Sequence, residues 1–224
     1  MKILLIYPTI TIYGKDRSAV SPIPPLGLAY LASYVEKQGH SVKILDCVAE
    51  GINDIKKAKG GFRVGLGDAK IKAEIQKLSP DLVGISSMFS AYAQDAYRIA
   101  AIVKKISNKI LVVFGGAHAC ALTHDVLKNK TIDLCVIGEG ELTFAEIVSN
   151  FSQGKSLFNI DGIAYKKAGK IIFTKPRELI SNLDTLPMPA RHLLPMDIYL
   201  SKHKNPFVYY DRHTFMISSR GCPM

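Results

Sequence analysis

The sequence predicts an α/β fold, a doubly wound parallel sheet with helices on both faces. Three short apolar runs carry that prediction. Leu82-Val83-Gly84-Ile85 leads into Ser86-Ser87-Met88-Phe89-Ser90, and Ile110-Leu111-Val112-Val113-Phe114 leads into Gly115-Gly116-Ala117-His118. Leu134-Cys135-Val136-Ile137 leads into Gly138-Glu139-Gly140-Glu141. Runs this short, rich in Val and Ile and without alternation, read as strands buried on both faces. Between the first two, Ala96, Ile99, Ala100, Val103 and Ile106 form one stripe of a helix spanning Ala91 to Ser107. Strand, helix and strand at this pitch give parallel strands joined by right-handed crossovers. The three strand ends then share one rim, and in an open α/β sheet ligands bind at that rim.

The remaining elements follow in order. Lys2 to Tyr7 is the first strand, ended by Pro8. Thr9 to Pro25 reads as a long polar loop, and a long loop at this place in such a sheet is commonly functional. Pro24-Pro25 opens a helix, where proline is tolerated. Its buried stripe is Leu28, Leu31, Ala32 and Val35, and Gly39 stops it. Ser41 to Leu45 is the second strand. Ala49 to Gly67, rich in Gly and Lys, is expected to be the least ordered stretch. Ile71, Ile75 and Leu78 mark a short helix stopped by Ser79-Pro80. A short helix around Ala121 to Lys128 separates the last two core strands. Thr143 to Phe151 is the closing helix, facing inward with Phe144, Ile147, Val148 and Phe151 and ended by Gly154. Gly162 to Lys166 and Lys170 to Thr174 flank Lys167-Ala168-Gly169 as a β-hairpin. Pro176 to Pro206, with Pro187, Pro189 and Pro195, is a linker. Thr214-Phe215-Met216-Ile217 is one further strand. The five-strand part fits a flavodoxin-like order, 2-1-3-4-5, whose switch point sets the loop after Pro8 beside Ser86 to Ser90.

Composition bounds the function. A chain of 224 residues, 48% of them hydrophobic, suffices for one substantial domain and an appendage. No apolar run approaches the roughly 20 residues of a membrane span. Met1 to Tyr7 lacks a charged n-region and a cleavage site, so it reads as a strand rather than a signal peptide, and a cytoplasmic protein is expected. Cys47, Cys120, Cys135 and Cys222 show neither metal-ligand spacing nor a disulfide framework. Cys135, inside a strand, reads as a small buried hydrophobe. The net charge of +10 is spread along the chain, as at Lys56, Lys57 and Lys59 or Lys104, Lys105 and Lys109, with no Arg-rich run or aromatic platform. Solvated faces account for it better than nucleic acid does.

The rims carry the chemistry. Gly115 and Gly116 let a backbone approach a ligand without a Cβ clash. Ser86, Ser87 and Ser90 offer hydroxyls. Gly138-Glu139-Gly140-Glu141 enters a helix whose first amides attract polar or anionic groups. Any one rim alone reads as a tight turn; three of them, beside the long first loop, point to a large flat ligand over the sheet edge. No G-x-G-x-x-G follows the first strand, and no G-x-x-x-x-G-K-[ST] occurs. His118 reads either as a ligand contact or as a histidine bonded to a nearby turn.

The ordered set Ile6-Tyr7-Pro8, Pro24 to Ala32, Gly39-His40-Ser41-Val42, Asp81 to Ser86, Val113 to His118 and Gly138 to Glu141 resembles the N-terminal cobalamin-binding domain of cobalamin-dependent radical S-adenosylmethionine enzymes. The resemblance covers the first ~150 residues and continues through the hairpin and linker. It implies that Ser86 to Met88 match an S-x-L-like loop, with Ser90 beside it. It also implies that Gly115 and Gly116 lie near the cofactor's nucleotide tail, that Gly138, Glu139, Gly140 and Glu141 lie near its lower base, and that the loop from Thr9 faces the corrin. The D-x-H-x-x-G motif, whose histidine ligates cobalt in domains of the methionine synthase type, is absent.

In that family a barrel follows, whose first strand ends in C-x-x-x-C-x-x-C. Ser219-Arg220-Gly221-Cys222-Pro223-Met224 resembles its opening, so Cys222 is expected to be a stranded metal ligand and the chain to be truncated there. The expected division is 1–154 as the cobalamin domain, 155–212 as hairpin and linker, and 213–224 as the start of the barrel. A 4Fe-4S cluster and S-adenosylmethionine belong, on this resemblance, to the full-length enzyme, which performs methyl transfer or related radical chemistry; this chain alone is catalytically incomplete. The alternative is a flavin- or nucleotide-binding module without catalysis. A receiver domain is disfavoured, because the first strand ends in Tyr-Pro and the third in Ser-Ser. A methylthio-transferring tRNA enzyme would need three cluster cysteines that Cys47, Cys120 and Cys135 do not supply.

Overall fold

A computed structural model describes residues 1–13, 20–200, 214–217 and 219–220. The chain begins with β1 (Lys2–Tyr7) and β2 (Ile10–Tyr13), followed by helix α1 (Leu26–Lys37) and β3 (Ser41–Asp46). Two short strands, β4 (Ile55–Ala58) and β5 (Gly61–Val64), precede α2 (Asp68–Leu78) and β6 (Leu82–Ser86). Then come α3 (Ala93–Ile106), β7 (Leu111–Gly115), α4 (Ala117–Ala121), α5 (Thr123–Lys128), β8 (Leu134–Val136) and α6 (Gly140–Ser152). The hairpin β9 (Ile163–Lys167) and β10 (Lys170–Phe173) leads through single 3-10 turns to α7 (Met196–Leu200).

The main sheet has seven strands in the order β10-β9-β8-β7-β6-β1-β3. The neighbouring pairs from β3 through β8 are parallel; β8 with β9 and β9 with β10 are antiparallel. This corrects the expected five-stranded sheet with a separate hairpin. The hairpin adds to the free edge of β8, with Leu134 opposite Tyr165 and Val136 opposite Ile163, and so extends the count and the order. Its turn has Ala168 and Gly169 at φ +49° and +79°, the two left-handed residues a tight hairpin needs.

Side chains alternate across each strand and sort the helices onto two faces. Leu4 and Ile6 of β1 pack with Ile71 and Ile75 of α2, Ile99 and Val103 of α3, and Val126 of α5. Ile3 and Leu5 pack on the other face with Leu28, Ala32 and Val35 of α1 and Phe144, Ile147 and Val148 of α6. That is the doubly wound arrangement, with a buried stripe on each helix.

Four further expectations need correcting. The stretch from Ala49 to Gly67 is structured: β5 lies between β2 and β4 in a small antiparallel sheet, pairing Ile10 with Val64 on one side and Ile55 with Val64 on the other. The polar loop after Pro8 therefore begins as a strand. The segment Thr214 to Ile217 is not a strand, and Met216 is 80% exposed. The linker is seated on the domain: Ala190 N–H donates to Ala29 C=O at 2.9 Å, and the Tyr199 hydroxyl donates to the buried Asp46 carboxylate at 2.6 Å. Among the described residues, no helix is long and apolar enough to cross a membrane.

Candidate functional site

The ends of β6, β7 and β8 lie side by side, with Ser86 opposite Gly115 and Phe114 opposite Cys135. Beneath this rim, on the face covered by α1 and α6, opens a mostly apolar slot of about 180 Å³. Leu5 and Gly84 line it from the strands, Leu28 and Leu31 from α1, and Phe144 from α6. Ser86, Met88, Gly115, Gly116, Gly138, Gly140 and Glu141 line it as well, so seven sequence-predicted residues meet there. A wider hollow of about 730 Å³ lies at the opposite rim, by the N-terminal ends of β1, β6 and β7 between Pro80, Ile110 and Phe151, and holds none of the candidates.

Glycine makes this slot at specific points. A Cβ on Gly84 would stand 2.7 Å from Leu5 Cδ2 and 3.3 Å from Phe144, so the side chains beneath the slot close only over a bare backbone. Gly116 adopts φ +101°, and a Cβ there would meet the Ser87 carbonyl oxygen at 2.8 Å. That proximity joins two rims. Ser87 N–H donates to Gly115 C=O at 2.7 Å, and His118 N–H donates to Ser87 C=O at 3.0 Å. Gly138, at φ +81°, faces open space where the chain enters α6.

The polar candidates divide. The Ser87 hydroxyl is buried and is the one buried side-chain polar atom among the described residues without a hydrogen-bond partner. His118 is also buried, but its Nδ1 lies 2.9 Å from Ser90 Oγ and its Nε2 3.0 Å from the Tyr97 hydroxyl. Burial lowers the His118 pKa from its ordinary 6.5, only partly opposed by Asp125, so the ring is neutral at pH 7 with both nitrogens engaged. Thr9 is wholly buried rather than facing outward. Its hydroxyl donates to Asp95 at 3.0 Å and accepts from Arg98 at 2.7 Å, while Arg98 also pairs with Asp68. Thr9 thus joins the loop after β1 to α3.

Glu139 and Glu141 carry partners that spacing did not reveal. Glu139 Oε2 accepts from Ile180 N–H of the linker at 2.7 Å. Glu141 is buried and pairs with Arg220 at 2.7 Å. Arg220 and Tyr97 are the functional candidates the sequence did not single out. Arg220 stood there only as part of a cysteine motif, and Tyr97 has no motif at all. Among the described residues, no group of three or more His, Cys, Asp or Glu could hold a metal ion, and Cys222 lies outside the described residues.

The stretch that carries most of this rim matches a known family. The model described as B12 binding domain matches residues 17–148. The chain belongs to the B12-binding domain family. Its reading as a cobalamin-binding module, implied by the ordered motifs, is borne out. This B12-binding domain is 42% identical to an uncharacterized methyltransferase of Pyrococcus horikoshii, over all of this chain and 44% of that protein. It is 30% identical to the cytidylyl-2-hydroxyethylphosphonate methyltransferase of Streptomyces wedmorensis, over 99% of this chain and 46% of that one. The chain therefore spans less than half the length of these relatives. Among solved structures it resembles the radical S-adenosylmethionine methyltransferase TsrM of Kitasatospora setae with cobalamin and a [4Fe-4S] cluster bound. There the TM-score is 0.61 and the identity 19%, covering 84% of this chain and 31% of that one. It also resembles the cobalamin-dependent radical enzyme OxsB with aqua-cobalamin bound, with a TM-score of 0.66 and 17% identity, covering 84% and 24% of the two chains. At these identities the likeness is one of fold.

Proposed function

We propose that this B12-binding domain holds cobalamin for a longer radical S-adenosylmethionine methyltransferase. In this reading the nucleotide tail enters the slot between α1 and α6, and the corrin lies over the rim. The observation that carries it is the slot itself, whose glycine-bounded, apolar interior suits a flat heteroaromatic base. The unpartnered Ser87 hydroxyl is not part of that interior; it lies in a separate small cleft with Tyr7, Pro8 and Thr9.

The chain's own residues then have distinct tasks. Leu28, Leu31 and Phe144 exclude water from the base. Gly115 and Gly116 admit the tail close to the backbone, and Ser86 and Met88 border it. Gly138 and Gly140 leave the entrance to α6 open. Ser90, His118 and Tyr97 hold the two rims in register, so His118 acts through the loop it supports and not as a cobalt ligand. When bound, cobalamin supplies a cobalt-carried methyl group. The cluster, S-adenosylmethionine and the substrate belong in this proposal to the remainder of the longer protein, with residues 1–154 as the cofactor domain and 155–212 as the connection. The buried Cys47 and Cys135 and the free Cys120 suit a reducing cytoplasm.

The test is direct. Purified chain mixed with hydroxocobalamin and desalted is expected to retain corrinoid absorbance at close to one equivalent. A colourless protein after desalting would defeat the proposal.

A further inference from the structure

Arg220 touches both helices that wall the slot. Its Nη2 donates to Glu141 Oε1 of α6 at 2.7 Å, and its Nη1 lies 3.6 Å from Glu139 Oε1. The guanidinium stands 5.1 Å from the ring centroid of Tyr30 in α1. Glu141 is 6% exposed and lines the slot, so its carboxylate needs a cation when the helices close around it. Glu139 is fixed in turn by the linker amide of Ile180. A second arginine fixes the same terminal segment: Arg191 Nη2 donates to Phe215 C=O at 2.6 Å, and its Nη1 donates to Thr214 Oγ1 at 3.1 Å. Neither set of contacts belongs to the sheet: Arg220 ties the segment to α6 and α1, and Arg191 ties it to the linker seated on α1.

We propose that Arg220 is a positioning residue that sets the spacing of α1 and α6 and couples occupancy of the slot to the seating of the segment carrying Thr214, Phe215 and Arg220. The coupling rests on the cobalamin reading of the slot. The physical argument is reciprocity. A base that enters between Leu31 and Phe144 favours one spacing of the two helices, and the Glu141–Arg220–Tyr30 bridge forms at one spacing. Each therefore strengthens the other by the same factor if the two spacings agree. In the sequence Arg220 stands two positions ahead of Cys222, so the segment that senses the slot is the one that leads toward the expected cluster ligand.

Hydrogen exchange read by mass spectrometry on the full chain tests this in wild type, Arg220→Met and Arg220→Lys, each with and without hydroxocobalamin. Loss of one charge-assisted pair is expected to speed exchange of the amides from Thr214 to Arg220 by roughly tenfold in Arg220→Met, while β6 and β7 remain protected. Hydroxocobalamin is expected to slow those amides in wild type but not in Arg220→Met, and to bind that variant roughly tenfold more weakly. Arg220→Lys, which keeps charge but not the planar fork, should recover part of both effects. If Arg220→Met also loosens the core strands, Glu141→Gln removes the same pair from the other side and should give the same loss at the segment. Unchanged exchange of the segment in Arg220→Met overturns the bridge. Equal cobalamin protection in wild type and variant overturns the coupling alone. A wild-type chain that retains no corrinoid overturns the cofactor reading and the coupling together, while exchange without cobalamin still reports on the bridge.

Discussion

A histidine buried away from water resists protonation, and His118, its ring nitrogens bonded to Ser90 and Tyr97, is in that position. Its folded pKa lies below the ordinary 6.5 because burial disfavours the charged ring. Between that lowered value and 6.5 the unfolded chain binds a proton that the folded chain does not. The stability His118 confers is therefore complete above pH 6.5 and declines as the pH falls through 6.5 toward the folded pKa. The slope from one such group is at most about 1.4 kcal/mol per pH unit. His118→Gln is expected to flatten part of that decline in urea melts followed from about pH 7.5 to about pH 5.5. An unchanged slope would mean that the ring is already solvated. The sequence left two roles open for this residue, because nothing in Gly-Gly-Ala-His reveals Ser90 or Tyr97. Those partners come from a neighbouring rim and from the first turns of α3.

At the scale of elements, legibility followed sequence distance. The strands β1, β3, β6, β7 and β8 and the helices α1, α2 and α3 were readable because each carries its own apolar period within a short window, whereas α4 falls where a turn was expected. The hairpin was readable as a pair, since its partners are adjacent, but not its attachment to β8, which depends on an edge that no local pattern announces. The small sheet of β2, β5 and β4 was missed for a related reason. Ile10-Thr11-Ile12-Tyr13 has strong strand propensity, yet its partner is Gly61 to Val64, far along the chain and flanked by glycines and lysines. The seating of α7 was also invisible, because it rests on long-range contacts: the bond between Tyr199 and Asp46, and the packing of Met196, Ile198 and Tyr199 against the core. Burial pushes the Asp46 carboxyl up, while the Tyr199 hydroxyl and the amides of Val48 and Ala49 hold it down. Removing the hydroxyl in Tyr199→Phe leaves that carboxylate short of a donor. A loss of about 1.5–3 kcal/mol is expected in urea unfolding. A change within about 0.5 kcal/mol would mean that apolar packing alone seats the helix.

For the whole molecule, binding and stability are linked. A ligand held only by the folded state at a hundredfold excess over its Kd adds about 2.7 kcal/mol of stability. In a chain of this size that corresponds to a rise in Tm on the order of 5–10 °C. Scanning calorimetry with hydroxocobalamin, FMN and NAD in parallel is expected to give this rise for the corrinoid alone. A rise with FMN or NAD and none with the corrinoid would favour the flavin or nucleotide alternative.

The connection after the hairpin is inlaid along the domain by Arg177 on Glu146, Ile180 on Glu139, Ala190 on Ala29 and Tyr199 on Asp46. Such an inlay stores no slack. Whatever is joined beyond Leu200 would set out from a point fixed on this domain, as a shelf does from its bracket. Where its approach to the rim begins would then be set by how this surface is built.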